Sequence, residues 1–174
     1  MKSFIKISGV LLISLCCLQT TIAQTKTDKK AAKVTAISKM LNERDYIFKA
    51  NYVNPQRGAG HALTSDYDLS VSKDSIIAYL PYFGRAYMAD YGSTDGGIKF
   101  TWTHFDYKVT NSKNGGRDIL IVPRNKNTSD AKAVQSVRLN VSADGYASLQ
   151  VISVNRDPIS FDGVVEEKRK PKGM

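Results

Sequence analysis

Across residues 46–165 apolar side chains recur at every second position in short runs, each broken by Gly, Pro, Asn or Asp, and this alternation restricts the possible folds most. A period of two sends successive side chains to opposite faces of a strand, so each run makes one apolar face and one wet face. Tyr67, Leu69 and Val71 alternate with Asp68, Ser70 and Ser72, and Lys73-Asp74 offers a turn into residues 75–80. Ile98, Phe100 and Trp102 make another apolar face, followed by Phe105, Tyr107 and Val109. The parity flips between Trp102 and Phe105, which requires an extra residue or a turn, so a bulge or tight turn is expected at Thr103-His104.

Asn114-Gly115-Gly116 leads into a nearly continuous apolar run over 118–122, which reads as a central strand or one buried on both faces. Pro123 ends it, having no amide to donate. Val137, Leu139 and Val141 alternate with Arg138 and Asn140, Asp144-Gly145 supplies the positive φ of a tight turn, and residues 147–154 return, which makes the clearest hairpin in the chain. Residues 159–165 read as a last strand. Ahead of the strands, Val34, Ile37 and Leu41 recur at helical spacing from Ala31, with Asp28 as a candidate cap. The reading is therefore a mainly β domain, a single antiparallel meander closed as a barrel or a sandwich, with one N-terminal amphipathic helix.

The ends of the chain carry other information. Lys2 and Lys6 precede an apolar stretch over 7–18, and Thr21-Ile22-Ala23 has the small-x-small form of a secretory cleavage site, so residues 1–23 read as a signal peptide. Leu15 before Cys16, and Cys16 before Cys17, suit a lipoprotein site poorly. Cleavage after Ala23 would leave 151 residues, remove both cysteines and lower the net charge from +9 to +7. A periplasmic or extracellular location is expected, with no disulfide, no integral membrane segment after cleavage and no nucleic-acid partner. Residues 24–30 read as a flexible leader, 31–165 as one β-rich domain, and 166–174 as a basic, solvated tail.

Four strings resemble a known family: Tyr79-Leu80-Pro81-Tyr82-Phe83-Gly84-Arg85-Ala86-Tyr87, Gly97-Ile98-Lys99-Phe100, Gly145-Tyr146-Ala147-Ser148-Leu149 and Ile159-Ser160-Phe161-Asp162-Gly163. They are similar to the exported bacterial family known as domain of unknown function 4251, found mainly in Bacteroidetes, over residues 42–165. The resemblance implies export and a β-rich domain, and no activity. It also gives weight to Asp74-Ser75-Ile76, which matches the short pattern that exported Bacteroidetes proteins use for O-glycosylation, here at Ser75.

The groups that chemistry needs are scarce. His61 and His104 are the only histidines. His61 sits in a Gly-rich loop where an exposed imidazole needs no explanation, and His104 follows Trp102 at strand spacing, which suggests a core edge with one ring nitrogen bonded to backbone. A site of both histidines with Asp66, Asp68 or Asp106 lacks close ligand spacing, so no metal and no cofactor are expected. The pairs Asp66 with Asp68 and Glu166 with Glu167 imitate glycosidase carboxylates but read as solvated surface. No nucleophile elbow or phosphate loop is present.

Residues 79–91 differ, with Tyr79, Tyr82, Phe83, Tyr87 and Tyr91 around Pro81, Gly84 and Arg85. Five aromatics exceed what one strand places on one face. Core filling is the plainer account for the rings as a group, and a split is expected, with Tyr79 and Phe83 structural and Arg85 functional. Tyr82, Arg85 and Tyr87 are the candidate binding residues, because tyrosine and arginine favour recognition surfaces. No catalytic residue is assigned. The function expected is an exported non-catalytic binding or interaction module of the cell envelope, its partner an unknown small ligand or envelope component. The alternatives are an envelope hydrolase acting on a glycan or peptide, with His61 or His104 as base, and a purely structural envelope protein.

Overall fold

The computed structural model describes residues 20–87, 96–112, 115–124 and 134–168, with the backbone alone for 20–28. Residues 1–19 of the expected signal peptide, Tyr91, Asn114 and the residues from 169 onward lie outside the described residues. The chain divides into two compact units, Met1–Ala36 and Ile37–Met174. The first holds the start of helix α1 (Thr20–Glu43). No Gly or Pro interrupts this stretch, so the helix takes in residues 24–30 and places Asp28 inside it rather than at its start. Thr35 Oγ1 donates to Ala31 O at 3.0 Å, the back-bond that lets a threonine sit within a helix.

The second unit begins with the last turns of α1. Ile37 and Leu41 are buried and Met40 half-buried, all against the strands. Arg44 then turns the chain at φ 54°, and Asp45 N donates to Met40 O at 3.2 Å, closing the helix end with a left-handed cap.

Nine strands follow among the described residues: β1 (Tyr46–Pro55), β2 (His61–Val71), β3 (Ile76–Leu80), β4 (Ile98–Trp102), β5 (Phe105–Asn111), β6 (Arg117–Pro123), β7 (Val134–Val141), β8 (Tyr146–Ser153) and β9 (Ile159–Glu166). They form one antiparallel sheet in the order β4-β3-β2-β1-β9-β8-β7-β6-β5. The two end strands, β4 and β5, are neighbours in sequence, separated by Thr103 and His104 alone. Laid flat, nine strands would put them roughly 38 Å apart at ~4.8 Å per step, while three residue steps reach only about 11 Å. The sheet must curl until its ends meet at that corner. The result is a barrel closed except for the β4/β5 seam, so the parity flip at Thr103-His104 marks where the meander breaks.

The apolar alternation fills the interior. Tyr46, Phe48, Leu69, Val71, Ile76, Leu80, Ile119, Ile121, Leu139, Leu149, Ile159 and Phe161 are fully buried. Each contributes on the order of 1.5–3 kcal/mol relative to exposure. In β6, Ile119 and Ile121 point inward while Leu120 and Val122 are half-buried on the outside, consistent with a strand between two neighbours. The β7–β8 hairpin pairs Val141 with Ala147 and Leu139 with Leu149, and Gly145 takes φ 86° in its turn. A Cβ at Gly145 would meet only the movable tip of Ile37 at 2.8 Å, so it is the positive φ that makes this turn need glycine.

Along the seam, Phe100 stacks on Trp102 with centroids 4.1 Å apart, and the Arg44 guanidinium lies 4.5 Å over the Tyr107 ring. The hydroxyls of Tyr46 and Tyr107 meet at 3.0 Å, and burial holds both above the ordinary tyrosine range.

Candidate functional site

Three connections meet at one end of the barrel: the β1–β2 loop with Arg57, residues 81–87 after β3, and the β8–β9 loop with Arg156 and Asp157. Pro81 is buried and stops β3 because it has no N–H for the ladder. The chain then docks on the β8–β9 loop. Asn155 adopts φ 55°, a conformation asparagine tolerates better than most residues, and this turns the loop toward the segment. Ala86 and Arg156 form an antiparallel bridge, Tyr87 N donates to Asn155 O at 2.8 Å, and Asp157 N donates to Arg85 O at 3.1 Å.

Asp157 is the centre of this contact. Only 6% exposed, it is the one buried charged residue among those described. Its Oδ1 accepts the Tyr87 hydroxyl, and Arg57 Nε stands 3.8 Å from its Oδ2. That Oδ2 has no hydrogen-bond partner among the described residues. Tyr82 Oη donates to Arg85 O at 2.8 Å, with Asp157 O a second acceptor at 3.2 Å. The Arg156 guanidinium lies 4.7 Å over the Tyr82 ring and donates through Nη1 to Gly96 O at 3.1 Å. His61 meets Phe83 edge to face, centroids 4.4 Å apart.

The field of Asp157 shows in both tyrosines. Burial, then the Asp157 charge, raises the Tyr82 hydroxyl. Tyr87 is raised mainly because it donates to Asp157, while Arg57 and Arg85 pull it the other way.

The structure brings together Tyr82, Arg85 and Tyr87, the residues singled out in the sequence, and adds Arg57, Arg156 and Asp157. Those three were missed as site residues because they lie in turns with no periodicity, and only the folded loops make them neighbours. Two structural roles are corrected. Tyr79 is 46% exposed, since β3 turns Ile76, Ala78 and Leu80 inward and parity sends Tyr79 out, against Tyr67 and under Lys99. Phe83 is 41% exposed, because it lies beyond the strand end where no parity applies.

His104 is also corrected: it is exposed in the β4–β5 corner rather than at a core edge, its Nδ1 3.1 Å from Thr103 Oγ1. Among the described residues neither histidine hydrogen-bonds a carboxylate, and no group of three metal-ligating side chains comes together. Asp106 is engaged by Arg124 at 2.8 Å. Ser75 is half-buried in the β2–β3 turn, its carbonyl accepting Ser72 N at 2.8 Å.

The two acidic pairs share one open groove of about 550 Å³ on the outer face, with Lys49 and Lys168. Lys49 reaches Glu166 at 3.1 Å, and Lys168 reaches Asp45 at 3.3 Å. Burial, followed by the neighbouring Asp66, raises the Asp68 carboxyl. No helix among the described residues is long and apolar enough to cross a membrane.

A nine-stranded antiparallel barrel, split at one seam and carrying an aromatic and arginine cluster at one end, defines a small β-barrel domain whose interior is filled by side chains. Residues 28–165 match the family described as Domain of unknown function (DUF4251), and the chain belongs to that family. Its fold is similar to the crystal structure of a DUF4251 family protein from Bacteroides eggerthii DSM 20697, with a TM-score of 0.56 and 16% identity over 79% of this chain and 91% of that one. At that identity the likeness is one of fold. No curated protein matches the chain.

Proposed function

We propose that this domain is an exported, non-catalytic recognition module of the cell envelope, and that it binds through the loop end around Arg85. One observation carries the reading: three loops distant in sequence place Arg57, Arg85 and Arg156 beside Tyr82, Phe83 and Tyr87. Arginine and tyrosine dominate binding hot spots because each combines a flat surface with directed donors. Recognition also gains when the surface is held in place before the partner arrives. The Ala86–Arg156 bridge and the Asp157 contacts hold residues 85–87 in that way.

Native mass spectrometry of the protein recovered from its own periplasm tests this reading. The wild type is expected to retain a bound mass that Arg85→Ala loses. A bare chain in both samples counts against it. The same spectra report on Ser75, where O-glycosylation is part of the proposal and would add a covalent sugar mass.

A further inference from the structure

We infer that the outer wall of the barrel, where β1, β9 and β8 run side by side, binds a neutral glycan stacked on the rings of Tyr52 and Tyr146 and hydrogen-bonded by Asp162. The site is separate from the loop end around Arg85. Two of the strings singled out in the sequence, 145–149 and 159–163, play no part in that loop end and meet here. Tyr146 and Ser148 line one side of a shallow trough of about 490 Å³, Asp162 and Gly163 lie along its middle, and Asn51 and Tyr52 line the other side.

A break in parity builds this wall. β1 pairs Ala50 with Gly163 and Tyr52 with Asp162, so Asn51 is an extra residue in the register. The bulge turns Asn51 and Tyr52 outward together, both exposed between the buried Ala50 and Val53. Gly163 permits it, because a Cβ there would collide with Lys49 O, which is main chain and cannot swing aside. Gly60 braces the ring from the β1–β2 loop, where a Cβ would stand 2.7 Å from Tyr52 Cε1 and 2.9 Å from Asn54 Oδ1. Asn54 Nδ2 in turn donates to Asp162 Oδ2 at 2.7 Å, which holds the carboxylate across from the ring. Single exposed tyrosines on a strand need no explanation. Here a bulge and two glycines fix a ring and a carboxylate in one arrangement, the preorganisation from which binding gains.

Tyr146 stands on the far side of β9 and is 67% exposed. Its partner in β9 is Val164, two residues from the Asp162 that faces Tyr52. Two strand spacings across and two residues along put the two tyrosine Cα atoms roughly 12 Å apart. That is longer than one sugar ring, so a glycan chain reaches both rings and a single sugar does not. A pyranose presents a face of C–H groups that lies flat on a tyrosine ring, and a rim of hydroxyls. Asp162 accepts from such hydroxyls, and the exposed amides of Asn51 and Asn140 donate and accept on either side of it.

Charge selects the class of glycan. Among the described residues lining the trough, Asp162 is the only charged side chain and there is no lysine or arginine, although the chain as a whole carries +9. A uronate, sulfate or phosphate would meet a carboxylate with no cation beside it, whereas a neutral hydroxyl gains a charge-assisted hydrogen bond.

Calorimetric titration of the full mature chain tests the site with cellohexaose, maltohexaose, mannohexaose and xylohexaose, and with glucose and hexagalacturonate as controls. At least one neutral hexasaccharide is expected to bind, more tightly than either control and with an affinity that added salt leaves unchanged. Tyr52→Ala and Tyr146→Ala should each lower that affinity about tenfold or more, as removal of a central recognition ring does. Asp162→Asn, which keeps the shape and removes the charge, should lower it less. Circular dichroism melting of Tyr146→Ala should match the wild type, because the ring is largely exposed. Should Tyr52→Ala melt early, Tyr146→Ala carries the test.

The inference is overturned if no neutral hexasaccharide binds, if glucose or hexagalacturonate binds as tightly, or if the folded tyrosine variants bind as the wild type does. A concentration-dependent dimer that Tyr146→Ala disrupts, seen by analytical ultracentrifugation in a chain that binds no glycan, would give the wall to a second copy and overturn it as well. Loss of glycan binding in Arg85→Ala but not in Tyr146→Ala would move the ligand to the loop end, overturning this site and leaving the recognition end standing.

Discussion

The β7–β8 hairpin and residues 81–87 are both short and rich in large side chains, yet burial follows different rules in each. In the hairpin, Val137, Leu139, Val141, Ala147, Leu149 and Val151 are buried and their neighbours are not, as a period of two requires. In the segment, Pro81 is buried, Tyr82 half-buried, and Phe83, Arg85 and Tyr87 exposed, with no period at all. The hairpin's environment is set by backbone geometry that neighbouring residues share. The segment's is set by contacts with residues about seventy positions away, above all Asp157. Regular backbone therefore builds the scaffold, and irregular backbone held by distant partners is where exposed arginines and tyrosines collect.

Truncation in the hairpin should give the largest effect. Leu139 is fully buried opposite Leu149, so Leu139→Ala leaves a cavity that the paired strands cannot collapse. A loss of about 2–5 kcal/mol is expected in urea denaturation. A loss near zero would mean that the alternation does not report the core, and the contrast between the two regions would fail on its firmer side.

Asp157→Ala comes next and sharpens the contrast. It removes the acceptor for the Tyr87 hydroxyl and the partner of Arg57, and because both donors are exposed and can turn to water, the cost should be smaller than that of Leu139→Ala. The loss should be local. Hydrogen exchange should quicken at the Tyr87 amide, which donates to Asn155, while the β7–β8 amides keep their protection. Equal quickening in both regions would show that the segment is part of the global fold rather than a separately anchored surface.

The same contrast explains what could be read from the chain before its structure. Most of the strands, the Gly145 turn and the break at Thr103-His104 follow from local parity and turn chemistry, so they were legible. Barrel against sandwich was not, because it depends on β1 pairing with β9, a contact more than a hundred residues apart. Tyr82, Arg85 and Tyr87 could be singled out by composition, since the string is unusually aromatic. Asp157 could not, since an acid before a proline in a turn looks like any other turn residue until residues 81–87 fold over it. The roles given to Tyr79 and Phe83 failed for a related reason: aromatic type was taken as a sign of burial where strand parity or the lack of a strand decided otherwise.

The smallest effect is expected at Phe83, where the two accounts of an aromatic ring disagree most. As a core residue, Phe83→Ala would cost several kcal/mol, comparable with Leu139→Ala. The ring is 41% exposed, and its one aromatic contact among the described residues is an edge-to-face one with His61, itself exposed at the start of β2. Part of its surface stays in water at the edge of the segment, so cutting it back opens a surface dent and leaves no tight cavity. The expected loss is within about half a kcal/mol, close to that of an ordinary surface change. Tyr82→Ala should cost more, because it leaves Arg85 O and Asp157 O without their shared donor and removes the ring beneath Arg156. Measured side by side in urea, a Phe83→Ala loss equal to or above that of Tyr82→Ala would place the ring inside the core and reverse the assignment of this segment to the surface.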